Sequence, residues 1–394
     1  MEQSRTMLAI PYGTRDFLPL EAAEKRMIEN RLAGIFAGWG YDEVVTPTIE
    51  YLDTLTRGAG KDLEPHLYKM VGNDNLTQAL RHEMTTPIAR LVSSRLREKP
   101  LPLRLSYISS VFRSEQVQTG RQCEFYQAGV ELMGSSGAAA DAEILALAIK
   151  GMLAAGLQDF KVCLGQVEFV SGIMEQYQLS ERVSAELKAA MEKHDLVLLD
   201  NLVEGLSLSE NSKKILKELP LLNGGQEMLA RAMDMALNAA SRRALDNLTE
   251  IYELLTDYGV ADYVKFDLGI IRDFSYYTGM VFEAYAPGLG FPVCGGGRYD
   301  HLLADFGMAC PATGFAMGIE RILLALMCQG LAAPEIVKEA YVGYAPGKVR
   351  EAIRKAMEMR EAGQVVELAS VSGTEDEARA CAERQGCRRL IYLA

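Results

Sequence analysis

The chain has few of the residues from which metal centres and disulfide frameworks are built. It contains four histidines, none in an HExxH or HxH arrangement, and seven cysteines, an odd number without a CxxC pair. Zinc sites and redox dithiols need closely spaced ligands, and a disulfide framework needs paired cysteines. We therefore expect no metal site and no disulfide framework, and we interpret the cysteines as buried or unreactive thiols.

Long apolar runs and an excess of basic residues are also lacking. No apolar run approaches the roughly 20 residues that cross a bilayer, and the N-terminal MEQSRTMLAIPYG lacks the basic region and apolar block of a signal peptide. There are 53 acidic and 41 basic residues, a net charge of -12. Proteins that bind nucleic-acid backbones usually present a basic face. These features predict a cytoplasmic protein without a membrane span and disfavour extensive nucleic-acid binding.

The pattern along the 394 residues predicts an α+β fold with a helical insertion. Amphipathic helices alternate with strand-like segments up to about Val170, where consecutive helix-period segments begin. Strand signals return after Val260, and the end of the chain reads as a compact βαβαβ unit. We predict the following division: core, first part, 1–169; helical insertion, 170–260; core, second part, 261–330; small C-terminal α/β domain, 331–394.

The stretch from Phe112 to Gly134, FRSEQVQTGRQCEFYQAGVELMG, predicts parts of two adjoining strands joined by a polar loop. Successive strand residues point to opposite faces. One face should be core; the other carries Phe125, Gln127, Gly129 and Glu131. An apolar layer does not tolerate an unpaired amide or carboxylate, so this face, with Arg113, Glu115 and Arg121 nearby, is interpreted as a ligand floor. A hairpin with one solvated side is the alternative, and alternation alone favours it.

Three further segments have both a structural and a functional interpretation. GGGRYD, from Gly295 to Asp300, fits a tight glycine turn for close packing better than a phosphate loop. Arg321, in the first turn of a predicted helix, either reaches solvent beside Glu320 or stacks on an adenine ring opposite Phe125. Tyr276 and Tyr277 are either core residues or hydroxyl donors to a ligand.

These segments together resemble the class II aminoacyl-tRNA synthetase core, and specifically histidyl-tRNA synthetase. The resemblance covers roughly residues 10–326 and rests on YGTRDFLP, GYDEVVTPTIEY, FRSE with EFYQAGVE, and GFAMGIER. It implies a nucleotide site at Arg113, Glu115, Phe125 and Arg321, with Arg121 on the loop between the strands. It implies a histidine-binding set at Glu83, Thr85, Gln127, Glu131, Tyr276 and Tyr277, with Arg272 matching the catalytic arginine.

Departures from the synthetase pattern change the expected function. Gln116, Val117 and Cys123 replace an arginine-proline pair and a loop arginine, and the middle of the second histidine motif reads Asp273, Phe274, Ser275. The 64 residues after 330 hold ten basic and ten acidic residues and at most three predicted strands, which argues against tRNA recognition by this segment. The chain looks like the non-charging paralogue family, the ATP phosphoribosyltransferase regulatory subunits.

This second resemblance implies a non-catalytic, homodimeric, synthetase-like core without a cofactor. In that family the core assembles in a hetero-oligomer with a short-form ATP phosphoribosyltransferase catalytic subunit. It activates the catalytic subunit and transmits feedback inhibition by histidine, with no tRNA and no membrane as partner. Two alternatives stay open: a working histidyl-tRNA synthetase-like enzyme that forms histidyl-adenylate, and an interaction scaffold with a vestigial pocket. The histidine site itself lies either in the synthetase-like pocket or at the subunit interface.

Overall fold

The computed structural model describes residues 8–59, 61–114, 122–270, 276–331 and 338–394. The chain divides into two units, Met1–Ala332 and Ala333–Ala394. Within the described ranges the seven cysteines form no disulfide: three are buried, three are partly buried and Cys328 is exposed, and their expected lack of reactivity stays a prediction. None of the helices in these ranges combines the length and apolar character that crossing a bilayer demands.

A nine-stranded, mainly antiparallel sheet organises the first unit, as the α+β prediction required. Its order is β1-β5-β6-β12-β11-β10-β7-β9-β8, with parallel pairs only at β1–β5 and β7–β9. The strands are β1 Asp42–Glu43, β5 Leu103–Phe112, β6 Glu124–Met133, β7 Lys161–Gln166, β8 Asn223–Gly224, β9 Val264–Asp267, β10 Met280–Tyr285, β11 Cys294–Arg298 and β12 Ala312–Gly318. A smaller sheet, β2-β4-β3, holds β2 Ile49–Tyr51, β3 Lys69–Val71 and β4 Thr77–Leu80.

The strands β5 and β6 form the hairpin that the sequence predicted, and its register places Tyr107 opposite Gly129. Ala128, Val130 and Leu132 join the main hydrophobic core, and the alternate residues of β6 face the other way. One face of the sheet is thus fixed by apolar burial, and the register then presents Gln127 and Glu131 on the opposite face.

Two long helices cover the core face of the sheet. The first begins with Pro19 at its first position, where a missing N–H costs nothing, and buries Ile28, Leu32 and Phe36. The second helix, Ala138–Ala155, is almost entirely buried. The helices of this part of the chain are α1 Pro19–Gly38, α2 Leu52–Ala59, α3 Thr85–Arg95 and α4 Ala138–Ala155.

Six consecutive helices fill most of the segment between β7 and β9. They are α5 Val167–Gln176, α6 Glu181–Glu192, α7 Leu196–Glu204, α8 Glu210–Glu218, α9 Glu227–Met235 and α10 Ala239–Asp257. Their buried residues, such as Leu187, Leu199 and Leu248, belong to the same hydrophobic cluster as the sheet. The predicted boundaries of a separate helical insertion stay a prediction. One more helix, α11 Ile319–Cys328, follows β12.

The second unit is a small βαβαβ structure with its own core. Its three parallel strands are ordered β14-β13-β15, and its elements are β13 Lys338–Tyr344, α12 Val349–Glu361, β14 Val366–Leu368, α13 Glu375–Arg384 and β15 Cys387–Leu393. Ala340 and Val342 of the middle strand are fully buried beneath the helices. Strands with both faces covered are typical of parallel sheets.

Candidate functional site

A cavity of about 410 Å³ opens above the polar face of the nine-stranded sheet. We call it the central cavity. Its walls come from β5, β6, β10, β11, β12, the start of α3, and the segment that joins α6 to α7. The side chains on which the site's chemistry depends are Glu83, Thr85, Tyr107, Arg113, Phe125, Gln127, Glu131, Tyr276, Tyr277, Glu283, Tyr299 and Arg321.

The cavity floor exists because small residues line up across neighbouring strands. Across the strands, Glu283 pairs with Gly295, and Gly295 pairs with Ala316. Ala316 in turn pairs with Gly129, and Gly129 pairs with Tyr107. In an antiparallel sheet, directly paired residues share one face. The middle of the row therefore carries almost no side-chain volume, and the bulky groups stand at its ends.

Glycines in the next row support the two side chains that lie above them. A Cβ on Gly314 would lie 2.1 Å from Oε2 of Glu131, and a Cβ on Gly297 would lie 2.8 Å from the ring of Tyr277. Real Cβ contacts are never that short, so both side chains rest directly on the main chain. The glycine-rich segment predicted as a turn is thus the strand β11. We expected a turn that brings a strand and a helix together, but the close approach is between two strands: a Cβ on Gly296 would lie 2.2 Å from the carbonyl oxygen of Gly314 in β12.

Glu83 stands at the N-terminus of α3 and is held by the helix itself. The backbone N–H groups of Thr85 and Thr86 donate to its two carboxylate oxygens, at 2.5 and 2.8 Å. A helix start leaves N–H groups without intrahelical acceptors, and a carboxylate there satisfies them and favours the helix dipole. Glu83 is 4% exposed, so the helix fixes a buried acid at the cavity wall.

Glu131 is a second, fully enclosed acid. Thr85 Oγ1 donates to its Oε1 at 2.8 Å, and the hydroxyl of Tyr299 donates to its Oε2. Burial raises the pKa of Glu131 to about 8, and the two hydrogen bonds only partly oppose this effect. Burial and then the neighbouring Glu131 raise the pKa of Tyr299 well above its ordinary value, so this phenol stays a donor.

Aromatic rings form one side wall next to these acids. Tyr276 lies 4.9 Å from Tyr277 and 5.7 Å from Tyr299, measured between ring centroids. Tilted and edge-to-face pairs of this kind pack rings without overlapping their negative faces. The wall places several phenol rings around the space beside Glu131.

Arginines and phenyl rings lie around the other part of the central cavity. Arg113 donates from Nε to the carbonyl oxygen of His82 at 3.1 Å, and its guanidinium lies 5.3 Å from the ring centre of Phe125. Arg321 donates to the carbonyl oxygen of Pro292 at 2.8 Å, and its guanidinium lies 5.1 Å from the ring centre of Phe291. Arg321 therefore lines the cavity and is only partly exposed.

Most of the predicted site residues meet in this one cavity. The structure brings together Glu83, Thr85, Gln127, Glu131, Tyr276 and Tyr277 with Arg113, Phe125 and Arg321. Glu115, Arg121 and Arg272 lie outside the described residues. The binding roles of the whole set stay predictions.

Sequence reasoning missed several wall residues. Tyr107 and Tyr299 are deeply buried beside Glu131, and Met191 and His194 reach the cavity from the segment around the end of α6. Gly129 inside a strand was a usable signal for Tyr107, since a strand glycine often marks a close approach and a Cβ there would lie 2.4 Å from the Tyr107 hydroxyl. Neither Met191 nor His194 had a local signal.

Comparison with known proteins gives consistent results. The family model for histidyl-tRNA synthetase matches residues 13–322. The ATP phosphoribosyltransferase regulatory subunit of Moorella thermoacetica is 44% identical over 97% of both chains, and that of Desulforamulus reducens is 40% identical over 97% of this chain and 94% of its own length.

Solved structures have the same fold. A crystal structure described as an ATP phosphoribosyltransferase regulatory subunit/histidyl-tRNA synthetase from Bacillus halodurans C is 35% identical, with a TM-score of 0.90, over 98% of this chain and 99% of that chain. Histidyl-tRNA synthetase from Nostoc sp. PCC 7120 is 20% identical with a TM-score of 0.85, over 98% of this chain and 92% of that one, and shares the fold. By its sequence and its fold, the chain belongs to the histidyl-tRNA synthetase-like family of ATP phosphoribosyltransferase regulatory subunits.

Proposed function

We propose that the central cavity binds free L-histidine and that the chain passes this signal to a short-form ATP phosphoribosyltransferase catalytic subunit. Family membership makes the chain a non-catalytic regulatory subunit in histidine biosynthesis. The effector and the site at which it binds are the proposal. The observation that carries it is the pair of buried carboxylates, Glu83 and Glu131, each held in place from the same turn of α3.

The chemistry of the cavity suits an amino acid with a polar ring. Glu83 offers a fixed negative charge to an ammonium group, and Glu131 with the phenols beside it offers acceptors and donors to ring nitrogens. Gln127 is 9% exposed, and its Oε1 has no hydrogen-bond partner among the described residues. A buried acceptor without a partner costs free energy, so a ligand N–H that reaches Gln127 would gain this contact. Arg113 supplies positive charge for a carboxylate.

Regulation then depends on an affinity difference and not on chemistry. Histidine must bind the inhibited assembly more tightly than the active one, with a coupling free energy typically of about 1 to 3 kcal/mol. A ligand with equal affinity for both states would shift nothing. The output of the site is therefore a change in the activity of the partner.

Reconstitution tests the proposal. The purified chain is mixed with a short-form catalytic subunit, and phosphoribosyl transfer to ATP is measured with and without histidine, beside calorimetry of histidine with the chain and with the complex. We expect activation by the chain, inhibition by histidine, and binding of histidine. Activation without any histidine binding would favour the scaffold with a vestigial pocket.

The residues predicted to bind a nucleotide motivate a second measurement. Arg113, Phe125 and Arg321 line the same cavity as the two carboxylates, which is the arrangement that a histidyl-adenylate-forming enzyme would need. We propose that they are a remnant. Histidine-dependent exchange of pyrophosphate into ATP should be absent, whereas a working synthetase cannot lack it.

We also propose that the chain forms a homodimer through the small β2-β4-β3 sheet and the residues before it. Apolar side chains are exposed there: Val45 is 79%, Val71 76% and Tyr51 46% accessible. Val45 lies before β2, and Tyr51 and Val71 lie on opposite faces of the sheet. Several exposed apolar groups in one region of the surface are typical of a protein interface. Sedimentation equilibrium should give a dimer, and Val71→Asp should weaken it.

A further inference from the structure

The environment of His82 is unusual within the described residues. Its side chain is completely buried, and neither ring nitrogen has a hydrogen-bond partner among those residues. Buried polar atoms are nearly always satisfied, and an unsatisfied one destabilises the folded state. His82 therefore needs an explanation that apolar packing does not supply.

A charged group close to its ring is Glu83, one residue along the chain. The distance from His82 Nε2 to Glu83 Oε1 is 4.0 Å, about 1 Å longer than a hydrogen bond. The backbone carbonyl of His82 accepts a bond from Arg113 Nε. The residue thus lies between the arginine and the carboxylate of the central cavity.

Among the described residues, hydrogen bonds to Glu83 occupy only half of its acceptor sites. An ionised carboxylate has about four acceptor positions, two on each oxygen. Thr86 N–H occupies one on Oε1 and Thr85 N–H occupies one on Oε2. In the described part of the chain no other group donates to either oxygen, and Oε1 lies 4.0 Å from His82 Nε2.

We propose that His82 is a positioning residue that donates from Nε2–H to Oε1 of Glu83 in the ligand-bound protein, which leaves Oε2 to receive the ammonium group of the ligand. This deepens the proposed function and rests on it. A neutral donor suits this role, because it orients the carboxylate without cancelling the negative charge that attracts a cation. Burial, and then the charge of Arg113, lowers the pKa of His82 to about 3, so the ring stays neutral at physiological pH.

Two substitutions separate hydrogen bonding from packing. His82→Gln retains a donor near the position of Nε2, and His82→Leu fills similar space without one. Histidine affinity of the full chain is measured by calorimetry. We expect His82→Leu to weaken binding about tenfold, as for loss of a hydrogen bond to a charged group, and His82→Gln to stay within about threefold of the wild type. Ser93→Ala is the matched control. It removes the hydroxyl of Ser93 in α3, which is also buried without a partner among the described residues, and it should leave histidine affinity unchanged.

The tautomer of His82 gives a readout that does not depend on folding of a variant. Long-range ¹H–¹⁵N correlation spectra of the ¹⁵N-labelled full chain should show the proton on Nε2, with a downfield shift of this proton on addition of histidine. A proton on Nδ1, or equal affinities of His82→Leu and wild type, would overturn the positioning role. Absence of histidine binding by the wild type would instead reject the proposed function, whereas the tautomer of the free protein would still show whether Nε2 carries the proton that the positioning role requires.

Discussion

Thr85 and Glu131 are joined by a hydrogen bond of 2.8 Å from Oγ1 to Oε1, although they lie on a helix and on a strand far apart in the sequence. The backbone N–H of the same threonine donates to Glu83. One residue in the first turn of α3 therefore orients both buried carboxylates. Substitutions of Thr85 therefore change how the two carboxylates are oriented without removing either carboxyl group.

Removing the hydroxyl should weaken ligand binding without abolishing it. Thr85→Ala deletes the bond to Glu131 and keeps the backbone bond to Glu83, and we expect about a fivefold loss of histidine affinity, as for one hydrogen bond of ~1 kcal/mol. Thr85→Ser should restore affinity to within about twofold. Thr249→Ala, which removes a hydroxyl bonded to the carbonyl oxygen of Leu245 in α10, serves as the control. Equal calorimetric isotherms for Thr85→Ala and wild type would contradict the bond's role.

Glu131 should make the stability of the protein depend on pH. Its pKa is about 8 in the folded chain against an ordinary value of 4.5, so between these values the folded state holds a proton that the unfolded state has released. Stability should then fall as pH rises from 4.5 to 8, with a slope of at most about 1.4 kcal/mol per pH unit. Glu131→Gln removes the titrating carboxyl group. The free energy of unfolding of this variant, measured with urea, should therefore change less between pH 5 and pH 8 than that of the wild type. Parallel pH profiles for the two proteins would rule out the raised pKa.

Tyr277 should contribute to sensing through its hydroxyl. Tyr277→Phe keeps the ring that rests on Gly297, so packing is preserved while a ligand hydrogen bond is lost. We expect about fivefold weaker histidine binding and a matching shift of the inhibition curve of the reconstituted complex. Tyr258→Phe, on a ring stacked with Trp39 and absent from the cavity lining, is the comparison. An unchanged inhibition curve for Tyr277→Phe would place the sensing site elsewhere, such as the subunit interface.

Gly314 should not tolerate a side chain. In Gly314→Ala the new Cβ would lie 2.1 Å from Glu131 Oε2 and 2.5 Å from the carbonyl oxygen of Val130. We expect a loss of about 2 kcal/mol in the free energy of unfolding, as for overpacking in a core, together with weaker histidine binding. Gly34→Ala, in α1 with no atom within 4 Å of the added Cβ, should stabilise the chain by up to about 1 kcal/mol. Chemical denaturation of the two variants measures the contrast.

The buried ion pair between Asp141 and Arg298 should be a large structural contributor. Arg298 Nη2 lies 2.8 Å from Asp141 Oδ1, and both side chains are nearly inaccessible. Asp141→Asn should cost about 3 kcal/mol, because it removes the buried counterion of Arg298 and leaves the partly exposed Asp300, 3.0 Å from Arg298 Nη1, as its ion-pair partner. Glu186→Gln breaks an exposed pair with Arg182 and should cost less than about 0.5 kcal/mol. Similar melting temperatures for both variants would contradict this ranking.

The strand parity of β6 was predictable because one of its faces is apolar throughout. Burial of Ala128, Val130 and Leu132 fixes which way Gln127 and Glu131 point. The motif resemblance identified Glu83 and Arg321, which are distant in the sequence. These two kinds of signal, local alternation and motif matching, account for most of the wall residues that were predicted.

The remaining wall residues depend on tertiary contacts without a local signature. Tyr299 lies in GGGRYD, which we predicted to be a turn because successive glycines usually interrupt a strand. The sheet tolerates them since Gly296 and Gly297 allow neighbouring backbones and a tyrosine ring to approach. Met191 and His194 come from the helical part of the chain, where amphipathic spacing reports burial but not the partner.

The floor of backbone atoms beneath Ala316 and Gly295 has a consequence for signalling. Main chain locked into a sheet by hydrogen bonds on both sides cannot rearrange through rotamer changes, so the lower surface of the binding space has a constant shape. Any difference between an inhibited and an active form must then arise in the parts above it, which include the helical segment carrying Met191 and His194. In the proposed function, the rigid strands determine which ligand fits, and the overlying helical segment is the part that differs between the ligand-bound and ligand-free forms.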